Sequence, residues 1–111
     1  MRLWLTIAIG LAVSIVDPAL AADRRCASTI DRVQPQGGVI SNAKIAERVA
    51  LAYLNSIYGE ATIRREMPLK ASLKGGVWTV TGTLPRGWVG GAAEILMCQR
   101  NGTVLSIIHY K

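Results

Sequence analysis

Chemistry-bearing side chains are scarce in this 111-residue chain. It holds one histidine, His109, and two cysteines, Cys26 and Cys98. One imidazole beside two thiols that are expected to be oxidised cannot build a zinc site, so no metal and no cofactor are expected. No Cys-x-x-Cys pair is present, which excludes a thioredoxin-like redox motif. Acidic residues are few, seven against thirteen lysines and arginines. Glu47, Glu60, Glu66 and Glu94 make no recognisable catalytic pair. Gly75-Gly76 and Gly90-Gly91 lack the lysine and hydroxyl of a phosphate loop. His109 could serve as a base near neutral pH, but no motif links it to a nucleophile, and it reads as structural. An enzyme is therefore not expected. Internal repeats, low-complexity tracts and nucleic-acid-binding motifs are also missing.

The start of the chain has the pattern of a secretory signal. Met1-Arg2 is basic, Leu3 to Val16 is apolar apart from Thr6, Gly10 and Ser14, and Asp17-Pro18 ends it before the small residues of Ala19-Leu20-Ala21. The run is shorter than the roughly 20 residues that span a bilayer, so no stable membrane span is expected once the signal is removed. Residues 1–21 are read as signal peptide, cleaved after Ala21; an uncleaved anchor is the alternative. Asp23-Arg24-Arg25 ahead of Cys26 argues against a lipoprotein. Residues 22–40 form an N-terminal tether and residues 41–111 one small domain, placed in the periplasm or outside the cell.

A domain of roughly 90 residues buries only about 60–65% of its unfolded surface and is marginally stable. An even cysteine count in an exported chain makes a Cys26–Cys98 disulfide plausible. Closing a loop of about 70 residues would contribute about 4 kcal/mol in the chain-entropy model; two free thiols are the alternative. The net charge is +6, and the leader leaves it unchanged because Arg2 and Asp17 cancel. That balance suits an acidic protein surface or another polyanion, while export argues against nucleic acid.

Hydrophobic periodicity predicts one helix followed by four strands. Ser41 is the expected N-cap, and Ile45, Val49, Ala52, Tyr53 and Ile57 form an apolar stripe over Asn42 to Tyr58. Gly59 is placed to end the helix in the left-handed conformation. Glu60 to Glu66 adds an irregular turn with Ile63 facing inward. Leu69, Ala71 and Leu73 share a face of the first strand, and Gly75-Gly76 closes a two-residue hairpin. In the second strand Trp78, Val80 and Gly82 alternate with Val77, Thr79 and Thr81, whose threonine face points outward. Gly82 leaves room for a partner group or marks a bulge. The third strand, Ala92 to Gln99, turns Ala93, Ile95 and Met97 inward. Its opposite face then carries Leu96 and Cys98, which need the tether as cover. A turn with Gly102 as bulge pairs Met97 with Leu105 and Ile95 with Ile107. The glycine-rich connection from Pro85 to Gly91 carries Trp88 and Val89. Either they fold back to close the core, the commoner arrangement, or they stand out as anchors with Arg86.

Several of these pieces together resemble one bacterial family. They are Ile57-Tyr58-Gly59-Glu60, Pro68 to Leu73, Val77-Trp78-Thr79-Val80-Thr81-Gly82-Thr83-Leu84-Pro85, Gly90-Gly91-Ala92-Ala93-Glu94-Ile95, Asn101 to Leu105 and His109. Over Ser41 to Lys111 the chain is similar to the nuclear-transport-factor-2-fold immunity proteins of bacterial polymorphic toxin systems. The signal and the two cysteines set it apart from that pattern and favour a periplasmic protein.

The expected architecture is α+β: one helix on a curved four-stranded antiparallel meander, a short nuclear-transport-factor-2-like or cystatin-like domain. The resemblance implies a non-enzymatic immunity or inhibitor protein that binds a cognate toxin and covers its active site. Arg86, Trp88 and Val89 of the loop and Thr79 and Thr81 of the outward strand face are the candidate contacts. A module that binds a small ligand or the cell envelope on its concave sheet face is the alternative, although Trp78, Met97 and Ile107 would fill that space. An unpaired sheet edge would allow a homodimer.

Overall fold

A computed structural model describes residues 7–13, 24–27 and 35–111. Of the expected leader, Ile7 to Val13 are irregular, with Ile7, Ile9, Leu11 and Val13 exposed. The cleavage site at Ala21 and most of the tether between Ala27 and Val33 lie outside the described residues. Among the described residues no helix is long and apolar enough to cross a membrane.

Helix α1 runs over Ala43–Tyr58 and a short α2 over Glu60–Arg64. Four strands follow, β1 (Lys70–Lys74), β2 (Val77–Thr81), β3 (Ala93–Cys98) and β4 (Val104–His109). They make one sheet in chain order, each neighbour antiparallel. The fold is therefore α+β, with α1 covering one face of the meander. The core between them holds Ala46, Ala50 and Leu54 from the helix, and Trp78, Val80, Ile95 and Met97 from the sheet. The helix-side space that a ligand-binding module would need is thus filled by side chains.

The helix begins one residue later than its sequence suggested. The cap is Asn42 and not Ser41: Asn42 has extended backbone, and its side-chain oxygen accepts from the Ile45 N–H at 2.9 Å. The buried face is also rotated. Ala46, Ala50 and Leu54 are fully buried, whereas Tyr53 and Ile57 are 44% and 52% exposed. Ile45 and Val49 are half-buried and flank the core. Two alanines on one i, i+4 ridge let the helix axis come close to the sheet, and close approach turns the larger residues to the sides. Gly59 takes a positive φ of 90°, but its ψ of 143° is extended, not left-handed helical. Its N–H still bonds to the Asn55 carbonyl at 3.0 Å, and the chain leads directly into α2. Ile63 is buried as expected.

Gly75 and Gly76 form the expected hairpin, both at positive φ, with Lys74 opposite Val77. The β3–β4 register departs from expectation. Ile95 pairs with Ile107, but Met97 pairs with Val104, and the irregularity sits within the strand and not at Gly102. Leu105 is the extra residue. Residues three apart on a regular strand face opposite ways; the bulge lets Val104 and Ile107 both pack on the core.

Ile40 is buried, and its carbonyl accepts from the Trp78 indole N–H at 2.8 Å. The Val39 and Ile40 N–H groups donate to the Arg100 and Gln99 carbonyls, so the chain ahead of α1 lies along the β3–β4 connection. A 3-10 turn, Arg24–Cys26, brings Cys26 to Cys98, and the two form a disulfide with Cα atoms 5.5 Å apart. Both half-cystines are buried. The Asn101 amide reaches the Cys26 and Ala27 carbonyls at 3.4 and 3.5 Å.

Candidate functional site

The β2 strand leaves the sheet after Thr81, and β3 begins only at Ala93. The segment between them is the longest connection in the domain. Leaving the ladder early strands backbone groups that must find other partners. Glu66, just beyond α2, supplies them. Its carbonyl accepts from the Thr83 N–H at 2.7 Å, and its Oε1 accepts from the Ala93 N–H at 2.7 Å. Its other carboxylate oxygen, Oε2, lies 3.1 Å from Nε2 of His109 on β4. Only 5% of Glu66 is exposed.

Gly82 is what makes this possible. A Cβ there would stand 3.0 Å from the Glu66 Cβ and 3.3 Å from its carbonyl oxygen. The room that the sequence reserved for a partner group is taken by Glu66 itself. Gly91 is needed for a second close approach, since a Cβ on it would collide with the Tyr110 backbone.

His109 also has its Nδ1 3.0 Å from the Tyr110 carbonyl, and its ring packs at 59° on Tyr58 with centroids 5.1 Å apart. Both ring nitrogens therefore face oxygen acceptors within the domain. Through the Glu66 contact this imidazole ties β4 to the end of α2. The pair is hard to foresee from residue order, because 43 residues separate its members and no pattern links them. The bare Gly82 was the one signal that could have found it.

Above this pair lies an open cleft of about 350 Å³. Leu84, Pro85, Trp88 and Val89 line it with apolar surface, and Arg65 and Lys111 bring cationic side chains to it. Trp88 is 60% exposed and Val89 fully so. They do not fold back over the core, and neither belongs to the core cluster. The Trp88 N–H bonds to the Pro85 carbonyl at 3.1 Å, forming a turn that carries Arg86 at its exposed tip.

Of the candidate contacts, the structure brings Trp88 and Val89 together in the cleft wall, with Arg86 on the same loop. Thr79 and Thr81 are elsewhere. They sit half-buried on the sheet face turned away from α1, opposite Ser72 and Lys70 on one side and Leu96 and Glu94 on the other. The cleft and the threonine face are thus two separate surfaces. Among the described residues no group of three histidine, cysteine or acidic side chains could hold a metal ion.

Comparison with known families gives one result that spans the fold. The model of a family described as NTF2 fold immunity protein matches residues 44–111, which include most of α1, all four strands and every cleft residue named above. No curated protein and no solved structure matches the chain.

Proposed function

The chain belongs to the family of NTF2-fold immunity proteins, and on that premise we propose that it is an exported, non-enzymatic immunity protein that binds a toxin domain and covers its active site. The family match over the whole α+β unit is the observation that carries this reading. The Cys26–Cys98 disulfide supports an oxidising compartment as its place of action.

The Pro85-to-Val89 loop is the contact surface we favour. Exposed tryptophan and arginine are the side chains most enriched among binding hot spots, and here both stand on one loop. The net charge of +6 would draw in an acidic toxin surface and speed encounter. Thr79 and Thr81 would belong to a second, peripheral contact.

Co-expression with the toxin encoded beside this gene, both exported, tests the proposal. Survival of the cells and co-purification of the two proteins are expected. Unchanged killing together with no complex in pull-down rejects it.

A further inference from the structure

We propose that the cleft beneath the Pro85-to-Gly91 loop receives an extended segment of the partner protein in which an aspartate or glutamate adjoins a large apolar side chain. This deepens the immunity reading and rests on it. Three observations on the cleft lead to the same occupant.

The first is its apolar wall. Trp88 and Val89 are left bare to water and take no part in the core cluster. Bare aromatic and branched side chains grouped around a concavity mark a docking surface. The second is its charge. Arg65 and Lys111 line the cleft, and both are exposed. The one acid that lines it, Glu66, is buried, with Oε1 bonded to the Ala93 N–H and Oε2 facing His109. The cleft therefore presents two exposed cationic side chains, while its one lining acidic side chain is buried and engaged, which favours an acid over a base. The third is its shape. About 350 Å³ is at the small end of ligand-site volumes, and it is open on one side. Such a space accommodates one or two side chains of a chain passing across it. The carboxylate would engage Arg65, and its apolar neighbour would lie against Trp88 and Leu84.

A random dodecapeptide library, panned over the full disulfide-bonded chain and in parallel over Arg65→Glu and Trp88→Ala, tests the assignment. Both substitutions are at exposed positions, and circular dichroism with a thermal melt verifies that the variants fold. The native chain is expected to enrich peptides that place an acid beside leucine, isoleucine, phenylalanine or tryptophan. Their affinity should fall about tenfold or more in each variant. The difference in emission between the native chain and Trp88→Ala should shift to the blue on binding. No enrichment, enrichment of basic peptides, or equal binding to all three chains overturns the proposal. The outcome is separable from the immunity test. A toxin neutralised equally by native chain and both variants removes the cleft from the interface and leaves immunity standing. Acidic-apolar peptides that bind the cleft, with no toxin neutralised, retain the cleft and remove the immunity reading.

Discussion

Replacing Glu66 by alanine would leave the Ala93 N–H buried without an acceptor and His109 without its partner. An unsatisfied buried group costs about 1–3 kcal/mol. For a domain of this size each kcal/mol lowers Tm by about 4–8 °C. Glu66→Gln should retain most of that stability. Its amide oxygen can still accept from Ala93, and its NH₂ can donate to the Nε2 of a neutral imidazole whose Nδ1–H meets the Tyr110 carbonyl. Thermal melts of the two variants measure the difference, and equal losses would show that a neutral amide of the same bulk replaces nothing and that the carboxylate itself is required. In the residue order only the bare Gly82 hinted at this clamp. Side chains 43 positions apart meet only after α2, β3 and β4 have assembled, and a lone acid before Met67-Pro68 gives no hint that it is buried.

Helix α1 shows how an element can be correctly predicted and its orientation misjudged. The span, the turn after Tyr58 and the amphipathic character all follow from the spacing of apolar residues. The stripe at helical spacing, Ile45, Val49, Ala52, Tyr53 and Ile57, lies to one side of the ridge that is buried. Packing weights fit: alanines at 46 and 50 allow the approach, and Leu54 completes their ridge. The consequence is measurable by urea unfolding. Leu54→Ala should cost about 2–5 kcal/mol, as deletion of a fully buried leucine does. Ile57→Ala should stay within about 0.5 kcal/mol, as an exposed substitution does. The opposite ranking would restore the original face. Strand β4 makes a similar point. Its apolar residues do not keep period two, and only a bulge at Leu105, which depends on β3, reconciles them with the core.

For the molecule as a whole, the disulfide is the decisive long-range tie. It joins residues 72 apart in sequence, and a loop that long carries about 4 kcal/mol in the chain-entropy model. Total stabilities are typically only about 5–15 kcal/mol. Reduction should therefore lower the urea midpoint of the native chain substantially, while Cys26→Ser should show the lower midpoint with or without reductant. A reductant effect on Cys26→Ser as large as that on the native chain would place the stabilisation elsewhere. The pairing itself could be read from cysteine count and from the need to cover Leu96 and Cys98.

Local order in the chain was enough to establish one helix, four strands, their meander order, the Gly75-Gly76 hairpin and the resemblance to immunity proteins. Those features depend on neighbours within a few residues, where periodicity and turn chemistry act directly. Which helix face is buried, where β4 bulges, how Glu66 and His109 meet, and whether Trp88 closes the core or stands free were settled only by assembly. Each depends on the space left by distant parts of the chain, and that space exists only once the chain has packed.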